Sequence, residues 1–157
     1  MLILTKRVEH THDYNHTITL EYDLRKKARL KTKSDSGEEV GLMLPRGIVL
    51  RGGDCLKSDG GLVAMIIAAP EEVSLACNDN KLLLAKACYH LGNRHMPLQI
   101  EDDFIAYQKD HVLDEMVLSL GLTVTHAMRA FEPESGAYHS HSTENSHSHD
   151  HANEHSH

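Results

Sequence analysis

Apolar and polar positions change their period twice along this chain, and the changes divide it into three parts. Up to about residue 70 the pattern is short and strand-like. Leu2-Ile3-Leu4 opens an apolar strand, and Thr17 to Leu24 alternates, with Ile18, Leu20, Tyr22 and Leu24 on one face. Arg29 to Lys33 alternates as well, and Val40 to Leu44, Ile48 to Leu50 and Leu62 to Ile67 read as further strands. Between them stand Ser34-Asp35-Ser36-Gly37, Pro45-Arg46-Gly47, Gly52-Gly53-Asp54 and Ser58-Asp59-Gly60-Gly61, all of turn composition. Many short strands joined by glycine-rich turns predict an all-β module over residues 1–70.

After Pro70 the period lengthens. Glu71 to Cys77 reads as a strand with Val73, Leu75 and Cys77 alternating inward. Asn78 or Asp79 is placed to cap a helix in which Leu83, Leu84, Ala87, Cys88 and Leu91 recur at helical spacing. Gly92 is the natural residue to end it in the left-handed conformation, and Pro97 forbids its resumption. Pro97 to Ile100 and Phe104 to Gln108 read as strands. Asp110 caps a second helix, with Leu113, Met116, Val117 and Leu120 at positions i, i+3, i+4 and i+7; Gly121 ends it, and Leu122 to Ala130 is a last strand. The order β-α-β-β-α-β over residues 71–131 is that of a ferredoxin-like unit, so the predicted class is α+β.

From Glu132 onward no apolar period remains. Glu132-Pro133-Glu134-Ser135-Gly136 is of linker composition, and it leads to His139, His141, His147, His149, His151, His155 and His157, spaced by small and polar residues. Such a segment cannot bury enough apolar surface to offset its ordering entropy, which predicts a disordered tail over residues 132–157. The run is interrupted, unlike an expression tag, and reads as a native metal-binding segment.

Composition narrows the functional classes. A net charge of −7 gives no general basic surface for nucleic acid, and the absence of Trp removes one stacking platform for single strands. Arg25, Lys26, Lys27, Arg29, Lys31 and Lys33 form one local basic run, read either as a solvated edge strand or as a docking surface for an acidic partner. The three cysteines, Cys55, Cys77 and Cys88, are odd in number and lack Cys-x-x-Cys spacing, which predicts reduced core thiols in a cytoplasmic protein. Met1 to Leu4 is too short an apolar run for a signal peptide, and the longest such run, Leu62 to Ala69, is far below the ~20 residues of a membrane helix. No His-Glu-x-x-His, nucleophile elbow or paired carboxylates stand beside a fixed histidine trio, so the chain does not read as an enzyme.

The remaining chemistry is imidazole. Neutral imidazole is a borderline ligand that suits nickel, copper and zinc, and its ordinary pKa of ~6.5 leaves most rings with a free lone pair near neutrality. Tail imidazoles must be ordered at each binding event, so they offer weak, exchangeable sites. His95 differs because its loop is clamped between a helix end and a strand. His111, in the first turn of the second helix, lies at the positive end of a helix dipole, which disfavours a protonated ring. His90 reads as a polar helix-end residue and His126 as a satisfied core or interface histidine. His10, His12 and His16 sit in a polar loop.

Four stretches resemble one family. "LGNRHMPLQI" (Leu91 to Ile100), "VGLMLPRGIVLRGGDCL" (Val40 to Leu56), "DHVLDEMVLSLGLTV" (Asp110 to Val124) and "FEPESGAYHSH" (Phe131 to His141) look, in this order, like the UreE urease accessory proteins. The first 39 residues match only in general character. The resemblance implies a nickel metallochaperone, Ni(II) as cargo, and a homodimer that pairs two copies of His95 on its two-fold axis. It also implies an accessory GTPase (UreG-like) and an apo-urease complex as partners, and an N-terminal domain that binds proteins. The family often has a further histidine two residues before His111; here Lys109 stands there, which puts a two-histidine site in doubt. Read without the family, the residues equally suit a histidine-rich store or buffer of Ni(II), Cu(II) or Zn(II). The candidate ligands are therefore His95 and His111, with the seven tail histidines.

Overall fold

The computed structural model describes residues 1–136, and the tail histidines lie outside them. The first part of the chain forms β1 (Leu2–Val8), β2 (His16–Leu20), the single helical turn α1 (Tyr22–Arg25), β3 (Arg29–Lys33), β4 (Glu39–Met43), β5 (Cys55–Ser58) and β6 (Val63–Ala68). The six strands make one sheet in the order β2-β6-β5-β1-β4-β3. The pairs β1/β4 and β2/β6 are parallel and the others antiparallel. Leu4, Ile18, Leu20, Val40, Leu42, Leu50, Leu56 and Ile66 fill its core.

Three details of this part differ from the sequence pattern. The alternation from Thr17 to Leu24 is not one strand: it ends at Leu20, and the Leu24 and Arg25 amides both donate to the Glu21 carbonyl to close a helical turn. Ile48 to Leu50 forms no strand, although Leu50 is fully buried and its amide donates to the Arg25 carbonyl. Conversely, β5 pairs with both β1 and β6. Its four residues carry just two apolar side chains, too few to show a period. Within the basic run, Arg29, Lys31 and Lys33 are exposed on the edge strand β3, whereas Arg25 is wholly buried.

The second part comprises β7 (Pro70–Cys77), α2 (Lys81–Asn93), β8 (Gln99–Ile100), β9 (Ile105–Gln108), α3 (His111–Ser119) and β10 (Thr123–Ala130). Its antiparallel sheet runs β10-β7-β9-β8. The cap of α2 is Asn80, whose side chain accepts from the Leu82 amide at 3.0 Å. Asn78 is otherwise occupied, accepting from the Asn80 amide and donating to the Gly121 carbonyl. Asp110 caps α3 as expected, with Oδ1 accepting from the amides of Val112 and Leu113. Gly121 follows α3 at φ +101°.

Both faces of this sheet carry apolar residues. Ala76, Ile105 and Tyr107 lie under the helices with Leu84, Ala87, Leu91, Leu113 and Val117. Val73 and Leu75, which alternate as the sequence predicts, lie on the opposite face. There they join Ala106, Phe104, Phe131 and Tyr22 of the first part. Phe131 is fully buried and meets the Tyr22 ring edge-on at 5.5 Å. Of the segment read as linker, Glu132 and Glu134 are held by backbone bonds: the Glu132 amide donates to Gln99 Oε1 and the Glu134 amide to the Leu98 carbonyl.

Candidate metal centre

The end of α2 sets the geometry of His95. The His95 amide donates to the Gly92 carbonyl at 3.0 Å and the Met96 amide to the Leu91 carbonyl at 3.3 Å. This doubled closure, the Schellman motif, requires a left-handed residue just past the helix, a position that glycine usually fills. Here that residue is His95 itself, at φ 58°, the one non-glycine with positive φ among the described residues. Gly92, expected in this role, stays inside α2. A left-handed L-residue costs on the order of 1–2 kcal/mol, although histidine is among the side chains enriched there. Packing of Met96 onto the cluster that contains Leu91 offsets that cost. Backbone outliers of this kind concentrate at functional positions.

Hydrogen bonding, not burial, separates the described histidines. His10 Nδ1 is bonded to the Gly53 carbonyl at 2.8 Å, and His16 Nε2 lies 3.4 Å from Glu38 Oε2. His126 Nε2 bonds Asp114 Oδ2 at 2.7 Å, so it is satisfied as expected, but the residue is exposed on β10 rather than part of the core. His12 packs edge-on against His10, and His90 against Tyr89. His12, His90, His95 and His111 have no side-chain hydrogen bond among the described residues, and all four are exposed. An imidazole without an intramolecular partner keeps a lone pair for a metal.

The satisfied group has a structure of its own. Asp114, on α3, accepts from the buried Tyr107 hydroxyl at 2.7 Å while holding His126 on β10. Desolvation pushes the Asp114 carboxyl up, but hydrogen bonds from Tyr107 and His126, with a contribution from nearby Ser74, outweigh it and hold the group below its ordinary range. Ser74 acts there only at longer range, since its buried Oγ has no partner at hydrogen-bonding distance. Burial, reinforced by Asp114, pushes the Tyr107 phenol well above its ordinary value. The sequence pattern did not single out Tyr107 or Asp114, because their contact joins β9, α3 and β10 in space only.

Among the described residues, no group of three or more His, Cys, Asp and Glu side chains is placed to hold a metal ion. His95 and His111 are therefore not brought into one site with other donors. The three cysteines are free, and burial raises the Cys88 thiol. No helix among the described residues is long and apolar enough to cross a membrane.

Comparison with known proteins covers both halves of the chain. Residues 4–69 match the N-terminal domain, and residues 71–157 the C-terminal domain, of a family described as UreE urease accessory protein. Over 141 residues the chain is 51% identical to a urease accessory protein UreE of Enterobacter sp. strain 638, covering 89% of this chain and 93% of that one. A urease accessory protein UreE of Citrobacter koseri is 53% identical over 143 residues, covering 90% and 94% respectively. One from Escherichia coli O157:H7 is 48% identical over 153 residues, covering 93% of this chain and 99% of its own length.

Proposed function

We propose that this chain, which belongs to the UreE urease accessory protein family, is a nickel metallochaperone: it carries Ni(II) as cargo, donates it during assembly of the urease metallocentre, and is not itself an enzyme. The observation that carries the reading is the exposed, unpartnered His95 ring on a left-handed backbone where glycine would serve the fold better.

One imidazole is a poor site, so a second subunit must complete it. A two-fold homodimer through this unit would bring two copies of His95 together on the axis. The surroundings of the loop support that arrangement. Tyr89, 69% exposed near the end of α2, and Ile100, 46% exposed on the edge strand β8, flank His95 in the sequence and leave apolar surface on the two elements that its loop joins. The reading of residues 71–131 as a ferredoxin-like unit rests on its βαββαβ order and antiparallel strand order.

Tail histidines are the natural further ligands. The Glu134 amide is bonded to the Leu98 carbonyl, three residues from His95, a span of at most about 10 Å. His139 is five residues beyond Glu134, or about 17 Å of extended chain. His139 and His141 can thus reach the His95 loop, while the later tail histidines add weaker sites. Paired imidazoles with oxygen or further nitrogen donors suit tetragonal or octahedral Ni(II); Cu(II) and Zn(II) are chemically admissible competitors. His111, exposed at the start of α3 and lacking a histidine at position 109, is a secondary ligand.

Delivery would run in the cytoplasm to a urease accessory GTPase (UreG-like) and the apo-urease complex, with protein contacts made by the N-terminal sheet. Exposed imidazoles can be exchanged one at a time, which a buried thiolate cage would not allow. The test is urease activation by purified protein at limiting nickel. His95→Ala should fail to activate while remaining folded and dimeric; normal activation by that variant would sink the proposal.

A further inference from the structure

We propose that the first unit carries a metal site of its own: His10 and His12, in the loop from β1 to β2, chelate one divalent cation of the borderline class, with water filling its remaining positions. The inference goes beyond the metallochaperone reading and does not depend on His95.

A free His-x-His segment binds metal weakly, because it must be ordered at each event. This loop is already ordered. Val8, at its start, is paired with Cys55 of β5, and His16, at its end, with Ala64 of β6. Between them the Thr11 carbonyl accepts from Cys55 Sγ at 3.6 Å, and the Asp13 amide donates to Thr11 Oγ1 at 3.0 Å. The Asn15 amide donates to the Val63 carbonyl at 2.8 Å, and Asn15 Oδ1 accepts from the Val63 amide at 3.0 Å. Each bond fixes backbone that an arriving ion would otherwise have to fix.

The hydrogen bond that His10 makes prepares its ring for a metal. Nδ1 lies 2.8 Å from the Gly53 carbonyl. A carbonyl can only accept, so Nδ1 carries the proton and the neutral ring keeps its lone pair on Nε2. Metal-bound histidines almost always donate their other N–H in this way, which fixes the ring and raises its basicity. The carbonyl is itself set by the turn at Gly53, φ +93°, whose amide donates to the Ile66 carbonyl at 2.8 Å.

His12 stands beside it, exposed, with ring centroids 4.9 Å apart and planes at 90°. A metal–nitrogen bond of about 2.0 Å puts an imidazole centroid about 3.2 Å from the ion, so two rings bound at about 90–110° stand about 4.5–5.2 Å apart. The observed spacing lies inside that range. The His12 ring has no hydrogen bond among the described residues to give up in turning its lone pair toward the ion. His16 faces Glu38 and does not join. Two imidazoles with water suit Ni(II) or Cu(II) and leave the ion exchangeable.

The experiment is calorimetric Ni(II) titration of His95→Ala in a chain ending at Gly136. The apolar clusters of both units lie within residues 1–136, so this chain retains them. It should bind one nickel per chain, more weakly than the His95 site, because both ligands come from one subunit. His12→Ala should weaken that binding by about tenfold or more, and the loss would be a ligand's, since this ring bonds nothing in the fold. His10→Ala should do the same. His90→Ala, which removes an exposed ring likewise edge-on to a neighbour, should leave it unchanged. No binding in this background, binding that survives His12→Ala, or an equal loss from His90→Ala would overturn the proposal. In the chain that keeps His95, His12→Ala should remove this weaker ion and spare the tight one; loss of both would overturn it as well.

Discussion

His95 and His126 are both histidines of the second unit, and they are held in opposite ways. His126 stands on a regular strand with its ring bound to Asp114, which is bound in turn to Tyr107. The side chain is satisfied and the backbone relaxed. His95 has a constrained backbone, fixed by the closing bonds of α2 at φ 58°, and a ring with no hydrogen-bond partner among the described residues. One site commits the imidazole to the fold. The other uses the fold to present an uncommitted imidazole to solvent. Metal exchange needs the second arrangement, because a ring already bonded to a carboxylate must first give up that bond.

The largest effect should come from removing one ring and then the other. His95→Ala should weaken the tightest Ni(II) site by two orders of magnitude or more, whereas His126→Ala should leave it within about twofold, as read by nickel titration. Comparable losses from both would show that ring commitment does not separate them.

Stability should reverse that order. Asp114→Ala leaves the buried Tyr107 hydroxyl without its acceptor and should cost about 1–3 kcal/mol in urea unfolding, while His95→Ala should cost little. A neutral Asp114→Ala would mean that the polar cluster is incidental to the fold.

The same carboxylate predicts an acid dependence. Its folded pKa is depressed, so its contribution is complete above the unfolded value of ~3.9 and is lost as pH falls through the folded value. Wild-type stability should therefore fall more steeply than that of Asp114→Asn as pH drops below about 4. Parallel pH profiles would contradict the assignment.

The smallest effect is the most diagnostic of backbone strain. His95→Gly should remove the tight site as His95→Ala does, yet raise the unfolding free energy by up to about 1 kcal/mol relative to His95→Ala. Thermal denaturation of the two variants side by side reads this difference. A glycine variant no more stable than the alanine variant would mean that the left-handed backbone carries no strain for His95 to bear.

These contrasts also mark what was legible in the sequence. The period of Leu113, Met116 and Val117, with Asp110 before it, gave α3 and its cap, because both signals are local. His95 stood out as a candidate ligand from its clamped loop, but its conformation was not legible. Gly92 was the better candidate for the left-handed position. The choice fell to His95 because Met96, one residue beyond it, finds packing on the cluster around Leu91. β5 was too short to show a period, and the turn at Tyr22–Arg25 was hidden inside an alternating pattern. Arg25 read as one more surface cation, since its acceptors at Leu50, Phe131 and Glu132 are far from it in sequence. Long-range polar contacts leave no periodic trace, and both the Arg25 bonds and the Asp114 cluster are of that kind.

The central claim is that two copies of His95 share one metal ion. Its most direct measurement is the Ni(II) stoichiometry of the chain ending at Gly136, taken together with its molar mass in solution. Without tail histidines, a dimer should bind one tight nickel per two chains, and His95→Ala should bind none tightly. One tight nickel per chain, or half-site binding that persists in His95→Ala, would contradict the account.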